Sequence, residues 1–573
     1  EINASYGSFN AHKETVKFGT GLLKDHWAFD ARLSNIGTDG YIDRASVDLY
    51  SFYAQGGYFA DNTSVKFITF GGKEKTYHAW NYATKEEMKK YGRRFNSCGM
   101  YTDDDGHIRF YKDQTDNYLQ MNYQLLLNHT FSAAWNLNAA LHYTKGDGYY
   151  QEYKEDRSLK EHRLHPFMYD GKEVEKSDLI RQKKMDNHFG GGVFSVNYRN
   201  EKLDASLGGA LNYYDGWHFG RVIWVKNYIG ELLPDHEYYR NKAKKTDGNL
   251  YLKANYNLVA GLNAYADLQY RYINYKIHGD NDKYDYNTDG LQKLAVNDHF
   301  NFFNPKAGLN WDIDSNNRVY ASFSVAQKEP TRNNYTDGNA DEYPKAEKLY
   351  DYELGYTYRN TWLSAGVNFY YMDYKDQLVL TGELNEIGEA MARNVPDSYR
   401  TGVELMLGVK PCRWFQWDIN GTLSKNRVKN FTEKLYEDEW KNPIEVEHGN
   451  TPIAFSPDFI LNNRFSFSHK GFEAALQSQY VSKQYMSNAK QAEQTLDAYF
   501  VSNLNLAYTF QLPHVKSVTV GFTIYNLFNE KYENNGYAGS GYTLKDGKPE
   551  RYNYAGYAAQ AGTNVMGNIS IRF

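Results

Sequence analysis

The last strands of the chain alternate polar and apolar side chains, and this alternation constrains the fold more than any other feature. It is clearest in residues 518–525 and 568–573, and the final run ends on Phe573. Each run places one strand face in an apolar environment and the other in water. Two-faced strands that close on an aromatic residue are typical of a transmembrane β-barrel.

The composition excludes other classes of membrane protein. Mean hydropathy is -0.75, and no stretch approaches the roughly 20 consecutive apolar residues that a membrane helix requires. Aromatic residues nevertheless make up 17% of the chain, with 54 tyrosines and 31 phenylalanines. Barrels place such rings in girdles at both membrane surfaces. The net charge of -5 is close to balance and does not favour a nucleic-acid partner.

Short and long connections take turns along the chain. Runs such as 1–9 with 14–23, and 189–198 with 203–213, are separated by a few residues, whereas long polar stretches such as 145–187 separate one hairpin from the next. This layout predicts short periplasmic turns on one rim and long extracellular loops on the other. Counting the runs gives about 22 strands. We therefore expect an all-β fold, in which residues 1–573 form one closed antiparallel barrel and residues 1–9 pair with residues 564–573.

The two cysteines are predicted to be free. Cys98 lies in a long polar stretch and Cys412 in a short turn, so this topology places them at opposite rims. A disulfide requires Cα atoms within about 7 Å of each other.

Two parts of the chain contain motifs typical of a known protein family. Residues 525–532, YNLFNEKY, together with Phe573 resemble the carboxyl-terminal signature of the TonB-dependent outer-membrane receptors. Residues 322–326, 330–332, 344–347 and 352–356 resemble the mid-barrel segments of that family. The resemblance implies a receptor in the bacterial outer membrane that imports a scarce, bulky nutrient with energy from the inner-membrane TonB complex. It also implies a plug domain, expected before residue 1.

The identity of the ligand is left open by the sequence. The resemblance implies a small-molecule ligand, with a ferric siderophore or a cobalamin-type compound as the leading alternatives. A passive pore or a surface adhesin built on the same barrel is the other function class. Outer-membrane lipid and lipopolysaccharide are expected neighbours, and a surface lipoprotein is a further candidate partner. No nucleophile–base pair or phosphate-binding glycine loop indicates an enzyme.

One polar segment matches the first half of a calcium-binding loop. Residues 285–290, DYNTDG, place side-chain oxygens at alternate positions before a glycine, as such loops do. Val296 stands where a bidentate glutamate is expected, and carboxylates just upstream could replace it. The candidate ligands are Asp280, Asp282, Asp285, Asn287 and Asp289. The alternative is a turn rich in aspartate and asparagine that binds no metal.

A second candidate site is a group of ring-bearing residues in the long stretches. Rigid rings offer a large contact area at low entropic cost, and an arginine among them could pair with an anionic ligand. The alternative is a girdle at the membrane surface. We expect the segments 145–187, 215–247 and 276–299 to converge over the barrel mouth, with the tryptophans, the histidine and the arginine facing the lumen. The candidate ligand-binding residues are Tyr149, Tyr150, Trp217, His218, Arg221 and Trp224.

Overall fold

The computed structural model describes residues 1–285, 288–337, 343–385, 388–437 and 442–573. These residues are mostly in β-strands, with two short α-helices, α1 (Lys85–Tyr91) and α2 (Arg332–Thr336). Among them, no helix has the length and apolar content needed to cross a membrane. Asn287 lies outside the described residues.

The strands of the first half of the chain follow one another in this order: β1 (Ile2–Gly7), β2 (His12–Gly19), β3 (Trp27–Thr38), β4 (Val47–Phe59), β5 (Thr63–Tyr77), β6 (Met100–Thr102), β7 (Ile108–Phe110), β8 (Thr115–Thr130), β9 (Trp135–Ser158), β10 (Phe167–Tyr169), β11 (Lys172–Val174), β12 (Lys176–Arg199), β13 (Leu203–Val225), β14 (Glu237–Val259) and β15 (Leu262–Asp285). The second half continues with β16 (Gly290–Asp312), β17 (Asn317–Lys328), β18 (Glu347–Arg359), β19 (Leu363–Leu384), β20 (Ala390–Cys412), β21 (Phe415–Leu435), β22 (Ile444–Pro452), β23 (Phe459–His469), β24 (Phe472–Val481), β25 (Gln484–Tyr485), β26 (Thr495–Leu496), β27 (Tyr499–Leu512), β28 (Val515–Tyr525), β29 (Glu533–Lys545), β30 (Lys548–Ala559) and β31 (Asn564–Arg572).

Within the described ranges, 22 strands pair side by side in one closed antiparallel wall. β22 extends the same sheet beyond this wall, since it pairs only with β21. The remaining eight strands form four separate hairpins, β6–β7, β10–β11, β25–β26 and β29–β30. The wall closes where β1 pairs with β31, with Ala4 directly opposite Ile569. The expected closed barrel, with its first and last strands paired, is confirmed.

Outward-facing aromatic side chains form two belts that bracket the membrane-spanning part of the wall. On β9 the belts are represented by Trp135 and Tyr143. Counted with both of these residues, the stretch is nine residues long, as expected for a strand that needs about 9–11 residues to cross a bilayer. The lower belt, beside the short turns, contains the exposed residues Trp27, Trp135, Trp311, Trp362 and Trp414. The upper belt contains the exposed residues Tyr123, Tyr143, Tyr213, Tyr270, Tyr272, Tyr352 and Tyr371.

The wall strands continue far above the upper belt, which corrects the expectation of long loops. β9 runs to Ser158, fifteen residues past Tyr143, and β12, β13 and β14 are 23 or 24 residues long. Much of the predicted loops 145–187 and 215–247 is therefore strand. Above the bilayer both strand faces meet water or protein, so the apolar alternation fades although the backbone ladder continues.

The short turn between β1 and β2 lies on the rim of the long connections. Gly7 pairs with Met566 at the start of β31, directly after the long segment 526–563. The first hairpin therefore turns at the opposite rim from the other short turns, which corrects the sequence-based assignment. The reason is that β1 enters the wall from the side of the short turns.

The cysteine prediction is confirmed. Cys98 lies in the long connection after β5, and Cys412 ends β20 beside a short turn. Both are free.

Closure of the barrel by β1 and β31 can be tested with a cross-strand disulfide. In a background with both native cysteines changed to serine, Ala4→Cys combined with Ile569→Cys should form a disulfide, because these residues are directly opposite and facing Cβ atoms lie about 5 Å apart. The measurement is the mobility of the denatured, unreduced protein on an electrophoresis gel. Ala4→Cys with Val565→Cys is the control, displaced by about 13 Å along the strand. Equal cross-linking in both pairs would contradict this register.

Candidate ligand-binding chamber

The hairpin β29–β30 lies across the mouth of the barrel. It leaves the wall between β28 and β31, yet Arg551 donates two hydrogen bonds to Glu433 of β21, at 2.6 and 2.9 Å. Gln494, from the connection between β24 and β27, donates to the Gly539 carbonyl at 2.6 Å and is fully buried. On the other flank, Arg93 donates to the Tyr532 carbonyl at 3.0 Å. These contacts hold the hairpin as a roof segment over the lumen.

A second part of the roof joins opposite sides of the wall. Trp80 follows β5, and it packs directly on Gly388, between β19 and β20, where a Cβ would lie 2.3 Å from the Trp80 Cβ. Trp80 also stacks on His78, with ring centroids 3.8 Å apart, and meets Tyr150 of β9 edge-on at 5.9 Å. Burial lowers the pKa of His78 to about 4. Tyr150 is thus one of the predicted ligand-binding residues that faces the lumen.

Helix α2 is folded inward against the lumen side of the wall. Tyr335 of this helix packs into a buried cluster that includes Ala243, Tyr275 and Ile277, and its hydroxyl donates to Asp298 at 2.7 Å. The cluster anchors α2 inside the mouth.

The segment that leads into α2 is fixed by a buried charge. Glu329 is 7% exposed and forms ion pairs with Lys245 of β14 and, at 3.0 Å, with Arg271 of β15. Arg271 is also bonded to Asp247. Removing one partner of such a buried pair leaves an uncompensated charge, so Glu329 holds the start of this connection firmly.

Arg332 and His218 form a buried polar pair within the mouth. Arg332 Nη2 donates to Asn241 Oδ1 at 2.5 Å, whereas Arg332 Nη1 and His218 Nε2 are buried without a hydrogen-bond partner among the described residues. His218 lies five residues beyond Tyr213 of the upper belt. Burial, and then the charge of Arg332, hold the pKa of His218 well below its usual value of 6.5. The imidazole is therefore neutral, and the guanidinium supplies the positive charge.

A cavity of about 440 Å³ lies beside α2, beneath the hairpin roof. Its apolar part includes Val379, Val395 and Val428, and its polar part includes Arg393, Asn488 and Ser540. It joins the connection that contains α2 to β19, β20, β21 and the β29–β30 hairpin. An apolar floor with a few convergent polar groups is the usual form of a small-molecule site.

The wall register divides the six predicted ligand-binding residues between its two faces. On β13, Leu207, Leu211 and Tyr213 are exposed on the outside, and the unbroken ladder keeps Trp217 on that same face. Lys242 and Arg240 lie over the Trp217 ring, at 4.6 and 5.1 Å.

The same register fixes the remaining members of this group. Arg221 faces outward and pairs with Glu237 at 3.1 Å, Trp224 contacts Tyr153 on the outer face, and Tyr149 lies under Lys184. The expectation that Trp217, Arg221 and Trp224 face the lumen is wrong, because odd-numbered residues of β13 point outward and a bulge near Ile180 keeps Trp224 with them. His218 and Tyr150 face inward.

The predicted calcium ligands are engaged in separate ion pairs. Asp280 pairs with Arg163 and Lys293, Asp282 with Lys183, and Asp289 with Lys160. Asp285 accepts from the Thr288 hydroxyl at 3.0 Å. Among the described residues, the acidic and histidine side chains that converge closely enough for a cation are Asp103, Asp105 and His107. The arrangement of the predicted ligands favours ion pairs between loops, and calcium stays a prediction.

These loop contacts bring the three segments together, and their convergence over the barrel mouth stays a prediction. His236 is bonded to the His162 carbonyl at 2.8 Å, and Lys160 and Arg163 reach Asp289 and Asp280. Leu159, Leu179, Val222 and Tyr238 form a buried cluster between the segments.

A buried ion pair supports the inner side of this cluster. Arg181 Nε lies 3.1 Å from Glu152 Oε2, and the two side chains are 4% and 1% exposed. Burial alone would raise the pKa of Glu152, but the charges of Arg181, Lys154 and Lys183 outweigh it and hold the pKa below its usual value. The carboxylate therefore stays ionised.

Residues 53–527 match the family model described as TonB dependent receptor-like, beta-barrel. The pesticin receptor of Yersinia enterocolitica is 24% identical over 225 residues, which are 38% of this chain and 30% of that receptor. The match thus spans less than a third of the relative's length.

Solved structures share the fold over the whole chain. The ferric yersiniabactin uptake receptor FyuA from Yersinia pestis has a TM-score of 0.70 at 14% identity, with 100% of this chain and 79% of that chain covered. The siderophore receptor PiuA from Acinetobacter baumannii has a TM-score of 0.71 at 12% identity, with 100% and 81% covered. At these identities the likeness concerns the fold alone.

Glu152→Gln should loosen the upper parts of β9 and β12. It removes the carboxylate that lies 3.1 Å from the Arg181 guanidinium, and removing one partner of a buried pair costs about 3–5 kcal/mol. Hydrogen exchange of the amides around residues 150–158 and 176–183 measures the free energy of local opening. Glu201→Gln, at an exposed short turn, is the control and should leave exchange unchanged. Unaltered exchange in Glu152→Gln would show that the pair does not hold these strands together.

Acid should release the ion pairs between the extracellular segments. For Asp280, burial is outweighed by Lys293 and Arg163, so its pKa is lowered from 3.8. A lowered pKa contributes stability that is present above the unfolded-state value and is lost as the pH falls through the folded-state value. Limited proteolysis of segment 159–175 should therefore be slow at pH 6 and accelerate below about pH 4. Asp280→Asn should be cleaved faster at pH 6 and show a weaker dependence on pH.

Proposed function

The chain belongs to the TonB-dependent receptor β-barrel family, and we propose that it is the barrel of a bacterial outer-membrane transporter for a ferric siderophore. The siderophore receptors among the similar solved structures support this ligand class. Energy would come from the inner-membrane TonB complex. The proposal is one of transport and not of catalysis.

The observation that carries the proposal is the buried polar pair formed by Arg332 and His218. A guanidinium with an unbonded Nη1 can form a charge-assisted hydrogen bond to an anionic oxygen, which is stronger than a neutral one. Ferric chelates with catecholate or carboxylate arms present such oxygens on a compact, partly aromatic body. Trp80, His78 and Tyr150 add flat rings on the same side of the wall.

Two alternatives receive less support. The cobalamin-type ligand was suggested by the calcium motif, and three of its candidate ligands, Asp280, Asp282 and Asp289, pair with lysines and arginines. A passive pore requires an open mouth, whereas the β29–β30 hairpin and the Trp80 contact cross it. A roof that must move to admit a ligand is better suited to capture and import.

Arg332→Gln should weaken the binding of an anionic ferric siderophore by roughly 10- to 100-fold, the cost of one charge-assisted hydrogen bond. Binding and uptake of iron-55 complexes of catecholate, hydroxamate and carboxylate siderophores, with cobalamin alongside, provide the measurement in cells that produce the full receptor. Arg318→Gln is the matched control, since Arg318 pairs with Asp312 beside a short turn at the opposite rim. If Arg332→Gln binds the ferric complexes as tightly as the wild type does, Arg332 does not contact the ligand and the proposed binding site is wrong. Uptake of cobalamin with no ferric complex bound would overturn the ligand class.

A further inference from the structure

Two lysines face each other on the outer surface of the wall. Lys244 of β14 is directly opposite Lys276 of β15, and both are exposed. They share the outward face of the neighbouring residues Leu250 and Tyr272, which are exposed as well. Like charges directly opposite on adjacent strands are destabilising unless something neutralises them.

The cations around this pair have acidic partners, but the pair does not. Lys242 lies 2.9 Å from Asp215, and Arg221 and Arg240 share Glu237 at 3.1 and 2.7 Å. In the part of the chain that the structure describes, neither Lys244 nor Lys276 has a carboxylate within 4.0 Å. The outer surface of β13–β15 above the upper belt therefore carries an excess of positive charge, which we call the basic patch; its members are Arg221, Arg240, Lys242, Lys244 and Lys276.

The height of the patch on the barrel identifies what it meets. Thr246 is opposite Tyr213 of the upper belt, so Lys244 lies two residues, about 7 Å along the strand, above that belt. The polar headgroup layer is about 5–7 Å thick on each side of the hydrocarbon core. The pair is therefore level with lipid headgroups and not with bulk water.

The surface beneath the patch suits acyl chains. Below Lys244 on the same outward face come Thr246, Gly248 and Leu250, and Gly248 is opposite Tyr272. Leu211, Leu250 and Tyr272 are exposed on this face, so an apolar surface lies directly below the two ammonium groups. A lipid with anionic groups on its headgroup fits both parts at once.

We propose that the basic patch binds the phosphate groups of lipopolysaccharide in the outer leaflet. Lys244 and Lys276 are the principal contacts, because no described carboxylate lies within 4.0 Å of either ammonium group. Asp215 is opposite Lys244 on β13, but its carboxylate pairs with Lys242. Lys242, Arg221 and Arg240 provide additional positive potential around them. The site is independent of the chamber, since it lies on the opposite face of the same strands.

The test uses the full receptor in a non-ionic detergent at low salt. Purified lipopolysaccharide, its enzymatically dephosphorylated form and inorganic phosphate are the three probes, and binding is measured by native mass spectrometry and by titration. Lys244→Gln with Lys276→Gln should weaken lipopolysaccharide binding about 30-fold, as expected for two lysines near an anionic lipid surface. Dephosphorylated lipopolysaccharide should bind the wild type as weakly as intact lipopolysaccharide binds the variant.

Two control variants make the result interpretable. Lys545→Gln with Lys548→Gln changes the same charge at the exposed tip of the β29–β30 hairpin and should bind within about twofold of the wild type, since distant surface charges are screened. Lys244→Arg with Lys276→Arg should retain binding. Unboiled electrophoresis confirms that each barrel is folded. Wild-type affinity in the Gln variant, equal binding of the dephosphorylated lipid, or displacement by inorganic phosphate alone would each overturn the proposal.

Discussion

The hydrogen bonding of the backbone within lipid is the constraint on which the rest of this structure depends. A strand edge in hydrocarbon leaves N–H and C=O groups unpaired, and each such group costs several kcal/mol. The pairing of β1 with β31 removes the last edge. Once the wall is closed, every strand has a fixed inner and outer face, and the position of each functional side chain follows from its place in the register.

The membrane-spanning part was predictable because lipid imposes a pattern on one face. The strands beside the short turns, the closed topology and the free cysteines were all inferred from alternation and spacing. The upper halves of β9, β12, β13 and β14 were not, because water or protein covers both faces there and the residues need not alternate. The β12–β13 hydrogen-bond ladder continues without a break up to the pair Lys183 and Gly220. The residues of this upper part nevertheless have the polar composition of a loop.

Only the site residues that lie on wall strands could be placed from the sequence, because the strand alternation determines which face they occupy. Leu211 and Tyr213 are apolar and outward, and counting on by twos from them already places Trp217 outside and His218 inside. Arg332, Trp80 and Glu329 carry no such signal, because they lie in connections that fold into the mouth and are held by partners far away in sequence. Glu329 pairs with Lys245, 84 residues away. The ion pairs of the predicted calcium ligands could not be inferred from the sequence for the same reason. Lys160, which pairs with Asp289, is 129 residues away along the chain.

One register fixes both the ligand chamber and the lipid-facing surface. On β14 and β15, Ala243, Tyr275 and Ile277 point inward and hold α2. The adjacent residues Lys244 and Lys276 point outward. A slip of one residue would exchange these two sets, which would expose the apolar cluster and bury two lysines. The buried support for Arg332 and the exposed charge at headgroup level thus both disfavour a slipped register of β14 and β15. An outer-face substitution can therefore change lipid contact without moving the chamber, as long as the strand register is kept.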